Sequence, residues 1–425
     1  MIIRILYHYF KTRYLRQKFT TRAQLSAYQE KKFKQLVKKT LCKSPFYQAY
    51  LDKPLQQWPI INKKIMMQHF DHLNTANIKK DQALEVALNA ENSRDFSALI
   101  GDIAVGLSSG TSGNRGLFLA SAKERDTWAG ILLAKALPKG LQRKERVAFF
   151  LRANNRLYTT LSKRKKIQFH FFDLLDNFET HLERLNQLQP TILSAPASVL
   201  LALAQQKHRL RINPEKIFSV AEVLEADDEV VISNAFNCPL SQVYQCTEGF
   251  LAISDKDSNH LLLNEEYLII EKEWLDEKRF VPIITDLLRT TQPIVRYRLD
   301  DVLIAEQSAG VFTRIANIEG RLGDICYATK DHQTIPIFAD LIRQKMASFP
   351  VEFNDYHIQQ CGLNQFIIQI TPDLAEKDEL IAHLNELFHR QNYDIPTWQW
   401  HAFVNPELGT KKRRIQALPD LINQG

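Results

Sequence analysis

Cysteine is scarce in this sequence, and the cysteines present are not arranged for a cross-link or a metal. The five are Cys42, Cys238, Cys246, Cys326 and Cys361, with no Cys-x-x-Cys spacing and no nearby pair of histidines. We therefore expect neither a disulfide framework nor a zinc site. A secretory signal pattern and any apolar stretch of 18 residues are also missing, which predicts a reduced, cytoplasmic protein.

Two common nucleotide-binding motifs are absent as well. The chain has no Gly-Lys-Ser/Thr of a Walker loop and no Gly-x-Gly-x-x-Gly, and it shows no internal repeat. What remains is an ordinary globular composition, with 45% apolar and 24% charged residues over 425 positions. That length is enough for two or three domains.

Acidic residues are outnumbered, since 55 Lys and Arg face 48 Asp and Glu for a net charge of +7. Many basic residues lie in residues 1–45 and in the clusters 163–166 and 411–414. Such a balance fits nucleic acid, an anionic membrane, or a site for ATP and a carboxylate, which are themselves anions. Solvated basic faces explain most of these residues, and we expect no nucleic-acid partner.

Residues 1–18 join apolar and aromatic side chains to Lys11, Arg13, Arg16 and Lys18. A segment of this kind can lie on an anionic bilayer. The run is too short to span a membrane and is not cleanly two-faced. We therefore predict a helix that docks on the globular body, with contact to a membrane surface as the alternative.

The most informative segment is the loop Leu-Ser-Ser-Gly-Thr-Ser-Gly at residues 107–113. Two glycines among hydroxyl residues let a backbone approach a polyphosphate closely and donate amide and hydroxyl groups to it. The apolar run 103–107 before it predicts a strand that ends at the loop. A surface turn has the same composition, so the loop alone leaves both interpretations open.

Five further segments follow in order along the chain. They are Ser-Val-Ala-Glu at 219–222, Tyr-Gln-Cys-Thr-Glu at 244–248, Arg-Tyr-Arg-Leu-Asp-Asp at 296–301, Gly-Arg-Leu-Gly-Asp at 320–324 and Lys-Lys-Arg-Arg at 411–414. Together with Ser-Ser-Gly-Thr-Ser-Gly, this set resembles the adenylate-forming superfamily, which activates carboxylic acids as acyl-AMP. The resemblance is to the branch that contains phenylacetate–CoA ligase and the synthetase that adenylylates a deazaflavin coenzyme. Residues 30–75 resemble that branch too, so nearly the whole chain is covered.

The resemblance implies an α/β fold with a large N-terminal adenylate-forming domain at 1–319, partly β-rich and led by mainly helical residues 1–75. A small, mobile α+β lid domain at 320–425 would carry the catalytic lysine. The residue pattern agrees, because strands alternate with helices between 100 and 250. In the tail, the pattern predicts helices at 338–348 and 377–391 around a strand at 365–371.

The resemblance also implies roles for the residues of the large domain. Tyr244 would pack beside adenine, Thr247 would contact the α-phosphate, and Glu248 would hold magnesium, which prefers carboxylate and phosphate oxygens. Glu222 belongs to the nucleotide-binding set. The residues that would grip the β- and γ-phosphates are Ser108, Ser109, Gly110, Thr111, Ser112 and Gly113.

Three more roles are implied towards the end of the chain. Asp301 would accept hydrogen bonds from the ribose hydroxyls, and Arg321 would hold the ribose. Lys411 would lie between the substrate carboxylate and the α-phosphate as a compact positive charge. Lys411 is chosen over Lys412 because Lys-x-x-Arg spacing leads to Arg414.

The chain departs from the family pattern at several positions. Arg115-Gly116 stand where many members have Pro-Lys, and Asp300 replaces a glycine. Gly323 occupies the position about which the small domain swings, where glycine can serve as a hinge. Residues 329–333 replace a Gly-rich segment that shapes the thiol-accepting face in relatives, so they bear on the second half-reaction.

These observations predict an ATP-dependent, AMP-forming acid ligase that uses magnesium and passes the acyl group to a thiol, most simply coenzyme A. The acid should bind between 147–152, 194–199 and 219–222, where Phe149 and Phe150 suggest a flat or aromatic acid. Transfer to a carrier protein or simple adenylyl transfer is the first alternative. A nucleotide-binding, membrane-associated interaction protein without turnover is the second.

Overall fold

The computed structural model describes residues 1–93, 95, 99–108, 116–151, 166–174, 176–255, 260–306, 310–321, 324–351, 353–404 and 413–417. Within them, the helices follow apolar residues at helical spacing and begin at polar caps. Thr21, for example, accepts a hydrogen bond from the Gln24 amide at the start of the second helix. The α-helices are α1 Ile2–Lys18, α2 Arg22–Lys39, α3 Lys63–Gln68, α4 Phe70–Leu73, α5 Lys80–Ser93, α6 Ala122–Ala136, α7 Phe178–Leu188, α8 Ala197–Gln205, α9 Ala226–Phe236, α10 Ala339–Ala347 and α11 Lys377–Gln391.

The strands of the described residues form one large and three small sheets. They are β1 Leu99–Ile100, β2 Ile103–Leu107, β3 Leu117–Ala120, β4 Glu145–Leu151, β5 Ile167–Asp173, β6 Ile192–Ala195, β7 Lys216–Val220, β8 Leu240–Cys246, β9 Gly249–Ser254, β10 Leu261–Leu263, β11 Leu268–Trp274, β12 Arg279–Asp286, β13 Tyr297–Arg298, β14 Asp301–Ala305, β15 Arg314–Arg321, β16 Cys326–Lys330, β17 Gln333–Ile337, β18 Asp355–Gly362, β19 Gln365–Thr371, β20 Thr397–Trp400 and β21 Ile415–Ala417.

The large sheet has the strand order β11-β12-β14-β15-β10-β9-β8-β7-β6-β4-β5, and β13 pairs with β12. Strands β5, β4, β6, β7 and β8 run parallel, and β9 returns antiparallel to β8. Parallel strands are covered on both faces, which explains the unbroken apolar run of β4. The predicted α/β fold is confirmed.

Helices cover both faces of the parallel strands. Ala148 and Phe150 of β4 belong to the core formed with α7, α8 and α9. Val147 belongs to the opposite core, where Ile5 and Tyr9 of α1 meet Ala129 and Leu133 of α6. The prediction that residues 1–18 dock on the body is therefore confirmed. None of the described helices is both long and apolar enough to cross a membrane.

The chain separates into two compact units. The larger contains Met1–Lys278, Pro282–Leu299 and Ala305–Asn317, and the smaller contains Arg279–Val281, Asp300–Ile304 and Ile318–Gly425. The predicted domain boundary at 319/320 itself stays a prediction. In the smaller unit, α10 and α11 share one core with the sheet β20-β19-β18-β21. The helix and strand predictions at 338–348, 365–371 and 377–391 match α10, β19 and α11 within one residue.

Candidate active site

A hairpin frames the predicted phosphate loop. Strands β2 and β3 pair antiparallel, with Leu107 opposite Leu117. Beyond that pair, the Ser108 amide donates to the Gly116 carbonyl at 2.8 Å, and the Gly116 amide donates to the Ser108 hydroxyl at 2.7 Å. The base of the loop is thus closed by two hydrogen bonds. The other predicted phosphate-binding residues lie outside the described part of the chain: Ser109, Gly110, Thr111, Ser112 and Gly113.

Packing and one side-chain amide fix this hairpin. A Cβ on Gly106 would lie 2.1 Å from the ring of Phe118, so only glycine lets that ring cross the strand. Gln292, 1% exposed, donates to the Leu117 carbonyl at 3.1 Å and accepts from the Leu119 amide at 2.9 Å. One amide side chain therefore satisfies two backbone groups of β3, as a neighbouring strand would.

Thr247 and Glu248 form the turn between β8 and β9, and the Glu248 side chain is buried. Each carboxylate oxygen accepts a hydrogen bond from a neutral donor, one from the Thr247 hydroxyl at 2.7 Å and one from the Tyr297 hydroxyl at 2.9 Å. No basic side chain among the described residues forms an ion pair with this carboxylate. Two hydroxyl groups thus orient Glu248.

Arg289 joins this turn to the hairpin. Its guanidinium, 1% exposed, donates to the carbonyls of Thr247 at 2.8 Å and Glu248 at 3.1 Å, and to that of Leu119 in β3 at 3.4 Å. Asp286 accepts from the two backbone amides at 288 and 289, which fixes the turn that carries Arg289. Burial raises the pKa of Asp286 to about 6, against the opposing effect of Arg289.

A second buried carboxylate holds the same segment from helix α6. Ser121 and Glu124 form a capping box at the start of α6. The Glu124 carboxylate also accepts from the amides of Thr290 at 2.6 Å and Thr291 at 3.0 Å. Burial alone would raise the pKa of Glu124, but hydrogen bonds from Ser121, Thr291 and Thr290 lower it below its usual value. The segment 286–291 is consequently fixed at both ends.

The segments predicted to bind the acid meet at the carboxyl edge of the parallel strands. Register places Ala195 of β6 opposite Ser219 of β7. Beyond that pair, the Glu222 carboxylate accepts from the Ser198 amide in α8 at 2.9 Å. Ala221 between them has φ +66°, a left-handed conformation uncommon outside glycine. The buried Ser219 hydroxyl has no hydrogen-bond partner among the described residues, which is the kind of group that a ligand can satisfy.

Most aromatic residues of this region are buried, and they lie on both faces of the sheet. Phe150 is fully buried and stacks on Phe172 with ring centroids 4.6 Å apart. It belongs to the core, so it gives no support to an aromatic substrate. Phe149 contacts Phe171 at 5.6 Å on the other face of the sheet. Tyr244, predicted to lie beside adenine, is buried in β8 at the position where the pairing with β9 shifts register.

In the smaller unit, ion pairs fix the segments predicted to carry the ribose and lysine contacts. Asp301 begins β14 and is half-buried, and Arg321 ends β15, with its side chain outside the described part. Asp324 accepts from Arg413 Nε at 2.8 Å. A Cβ on Gly320, which has φ +142°, would lie 2.6 Å from the Asp324 carboxylate. Glycine at that position therefore allows the Asp324–Arg413 pair to form.

The segment after the predicted catalytic lysine is anchored as well. Arg414 Nε donates to Asp355 at 3.1 Å, and its guanidinium lies 5.6 Å from the centre of the Tyr356 ring. Its carbonyl accepts from the Ile358 amide at 2.8 Å, where β21 joins β18. Lys411 and Gly323 lie outside the described residues, so their predicted roles stay predictions.

Sequence reasoning missed Arg289, Asp286, Gln292 and Glu124. A signal for the first two was present, because Asp286 interrupts the mainly apolar run 280–288 and Arg289 directly follows it. Charged residues inside such a run are rarely buried without partners. Gln292 and Glu124 had no comparable signal, since their partners lie far away in the chain.

No protein-family model matches the chain. A segment of 140 residues is 27% identical to Protein CapK of Staphylococcus aureus, covering 32% of this chain and 31% of that protein. Among solved structures, 2-hydroxyisobutyryl-CoA ligase in the postadenylation state, in complex with 2-HIB-AMP, aligns with a TM-score of 0.67 over 94% of this chain and 90% of its own, at 12% identity. The chain has the adenylate-forming fold.

A second solved structure with this fold is the acyl acid amido synthetase AtGH3.15 in complex with 2,4-DB. It aligns at 12% identity with a TM-score of 0.60 over 92% of this chain and 88% of its own. The anthranilate CoA ligase AuaEII in complex with anthranoyl-AMP aligns at 12% identity with a TM-score of 0.51 over 74% and 66%. At such identities the likeness establishes the fold alone.

The buried Glu248 carboxylate can be compared with the ligands that magnesium takes in proteins. Among the described residues, no group of three or more His, Cys, Asp and Glu is arranged to hold a metal. Magnesium does not need one, because it commonly takes one or two carboxylates together with substrate phosphates and water. A carboxylate accepts about four hydrogen bonds or ligand contacts, and Glu248 has two neutral donors on it. The donor set therefore fits magnesium.

Proposed function

We propose that this chain is an ATP-dependent, AMP-forming carboxylic acid ligase. The observation that carries the proposal is the buried Glu248 carboxylate, oriented by neutral donors and joined by Arg289 to the hairpin whose tip is the Ser/Gly/Thr loop. The fold is that of enzymes that act on carboxylic acids through adenylates. The resemblance to the phenylacetate–CoA ligase branch is part of the proposal.

In the first half-reaction, a carboxylate oxygen of the acid attacks the α-phosphorus of ATP. The bond between that phosphorus and the oxygen bridging to the β-phosphate breaks, and pyrophosphate leaves with the electron pair. One anion attacks another, so catalysis depends on positioning and electrostatic stabilisation. The loop residues 108–113 hold the β- and γ-phosphates, and Thr247 contacts the α-phosphate. Glu248 would hold magnesium, which would supply positive charge to the phosphates.

The smaller unit supplies the remaining contacts in this proposal. Asp301 accepts hydrogen bonds from the ribose hydroxyls, and Arg321 holds the ribose. Lys411 donates to the substrate carboxylate and the α-phosphate. Residues 320–425 act as a lid that carries this lysine, with Gly323 as the hinge. Tyr244 and Glu222 complete the nucleotide site.

The acid binds at the carboxyl edge of β4, β6 and β7. The buried Ser219 hydroxyl supports this placement, because a polar group of the substrate would satisfy it. The Glu222–Ser198 hydrogen bond fixes the start of α8 at this edge. Phe149 is the residue that favours a flat or aromatic acid.

In the second half-reaction, the sulfur of a thiol attacks the acyl carbon, and the bond from that carbon to the AMP oxygen breaks. The thiol loses its proton to solvent and AMP leaves. We propose coenzyme A as the thiol and the cytoplasm, where ATP and coenzyme A are available, as the location. Relatives in fold include an acyl acid amido synthetase, so an amine is the competing acceptor, followed by a carrier-protein thiol.

The test is pyrophosphate release from ATP and magnesium across a panel of aryl and fatty acids. We expect release that depends on one class of acid and falls in Glu248→Gln. Products with coenzyme A, amines or a carrier protein then identify the acceptor. ATP binding without release for any acid would instead support the alternative of a nucleotide-binding protein without turnover.

A further inference from the structure

Helix α1 has two distinct faces. Ile5, Tyr9 and Leu15 are buried against the body. The opposite face carries a stripe formed by Ile3, Tyr7, Phe10 and Tyr14, whose exposed fractions lie between 57% and 85%. These four residues are spaced by four, three and four positions, which places them along one side of a helix. The sequence predicts that this segment is not cleanly divided into an apolar and a polar face, and in the structure apolar side chains lie on both the buried and the exposed face.

The body holds α1 rigidly enough to present this stripe. A Cβ on Gly130 of α6 would lie 2.4 Å from the Ile5 carbonyl and 2.8 Å from the His8 side chain. The two helix backbones therefore approach as closely as a glycine allows. The Tyr267 hydroxyl of the same unit makes a 2.7 Å hydrogen bond with buried Thr12.

Basic side chains lie beside the stripe and are frequent in the surrounding sequence. Residues 1–51 contain 12 of the 55 Lys and Arg residues but only one of the 48 acidic residues, Glu30. The ammonium groups of Lys11 and Lys18 lie 5.6 and 5.7 Å from the ring centres of stripe residues Tyr7 and Tyr14. This segment is thus far more basic than the chain as a whole.

The charge continues onto α2. The ammonium groups of Lys18 and Lys32 lie 5.9 and 5.6 Å from the centre of the Tyr28 ring in α2. Burial lowers the pKa of Lys32, and the charges of Lys31, Lys39 and Lys18 lower it further. The charges of these lysines therefore interact across α1 and α2, and together the lysines form one positive surface.

We propose that the exposed stripe of α1, with the lysines of α1 and α2, binds the surface of an anionic phospholipid bilayer. Aromatic and aliphatic side chains enter the boundary between headgroups and acyl chains, and lysines beside them contact the headgroup phosphates. Tyrosine is favoured at such a boundary because its ring is apolar and its hydroxyl polar. A second copy of this chain fits worse, because two strongly positive surfaces would meet. The proposal does not depend on the proposed ligase activity.

The test is co-sedimentation of the full chain with vesicles of phosphatidylcholine alone and of phosphatidylcholine with phosphatidylglycerol. We expect binding only to the anionic vesicles, and loss of it at high salt. In Lys11→Gln/Lys18→Gln/Lys32→Gln, binding should weaken roughly 100-fold, at about 1 kcal/mol for each lysine. In Tyr7→Gln/Phe10→Gln/Tyr14→Gln, it should weaken about tenfold or more, because the inserted area is lost.

Matched controls separate this surface from general effects. Lys79→Gln/Lys139→Gln/Lys278→Gln removes the same charge elsewhere, and Val230→Gln/Val231→Gln removes exposed apolar residues of α9. Both controls should bind anionic vesicles as the wild type does. Equal binding to neutral vesicles, or wild-type binding by both the lysine variant and the aromatic variant, would overturn the proposal. So would a dimer in sedimentation experiments that Tyr7→Gln/Phe10→Gln/Tyr14→Gln dissociates without any vesicle binding, which would assign the stripe to a second copy.

Discussion

The two units of the molecule differ in the partners that they give to charged side chains near their predicted site segments. In the larger unit, Glu248 is buried and held by two hydroxyl groups, with no cation from the described residues beside it. In the smaller unit, Arg413 and Arg414 are each paired with a carboxylate, Asp324 and Asp355. One unit orients a carboxylate with hydroxyl groups alone, and the other pairs two arginines with carboxylates.

This difference shows which of these side chains already have an ion-pair partner within the described residues and which do not. The Glu248 carboxylate has no ion-pair partner among the described residues, so in the proposed reaction it can bind a cation. The positive charges of Arg413 and Arg414 are matched within the smaller unit, so these arginines fix the backbone of the C-terminal segment. Any positive charge delivered to the reacting atoms from 411–414 then comes from the lysines.

The largest effect is expected from breaking the support of the Glu248 turn. Arg289→Met removes donors to three carbonyls and leaves Asp286 buried without its cation, which should cost about 3–5 kcal/mol of unfolding free energy. Denaturant unfolding measures this. Arg298→Met breaks the surface pair with Glu273 and should cost about 1 kcal/mol or less. Similar losses in the two variants would contradict the supporting role of Arg289.

Replacing the Glu248 carboxylate tests its proposed function directly. Glu248→Gln keeps the shape and the hydrogen-bond acceptor but removes the charge, so pyrophosphate release should fall roughly 10²–10³-fold. Glu273→Gln, a carboxylate paired on the surface, serves as the control and should stay near the wild-type rate. An unchanged rate in Glu248→Gln would exclude it as the magnesium-binding residue.

The proposed role of Lys411 can be distinguished from that of its neighbour Lys412 by substituting each in turn. Lys411→Ala should lower adenylation about 10²-fold, because an electrostatic contact to the reacting atoms is lost. Lys412→Ala removes the same charge one position away and should have little effect. Equal losses in both variants would mean that the segment supplies general positive potential rather than one positioned contact.

Much of the fold was predictable because it follows from local patterns. Helices at 178–188 and 377–391 and the buried run of β4 are encoded in apolar spacing over a few residues. The site motifs were recognisable as ordered short segments. The supports of the site were not, because Arg289 reaches residues 41 to 170 positions away and Gln292 satisfies β3 from 175 positions away. Pairing between distant segments depends on sheet order, which one sequence does not display.

A pH-dependent stability difference should distinguish the two buried acids. The pKa of Asp286 is raised to about 6, so its contribution to stability is present below its unfolded pKa and is lost as the pH rises through about 6. Relative to Asp286→Asn, the wild type should lose on the order of 2 kcal/mol between about pH 4 and pH 7. Chemical unfolding across this range measures it, and a constant difference would contradict the prediction.

Glu124 should show the opposite sign. Its pKa is lowered, so its contribution is present above its unfolded pKa and is lost as the pH falls through the folded value. Glu124→Gln should therefore lose its disadvantage against the wild type only in acid. The two variants measured together separate the contributions of the two acids that hold the segment 286–291.

The smallest effect is expected from one neutralised arginine. Arg413→Gln breaks a partly buried pair with Asp324 and should lower the unfolding free energy by about 1–2 kcal/mol. Adenylation by the remaining folded protein should change little if Lys411 carries the charge. A loss of activity as large as that of Lys411→Ala would show that Arg413 does more than fix the backbone.

The docking of α1 on α6 has a consequence for synthesis of the chain. About a hundred residues separate the end of α1 from the start of α6. At a ribosomal rate of about 5–20 residues per second, the surface that covers Ile5 and Tyr9 is made roughly 5–20 s after α1 itself. During that interval both faces of α1 are exposed, so the nascent chain presents more apolar surface to a bilayer than the finished protein does. A helix that binds a bilayer through one face has, at that stage, two faces with which to do so.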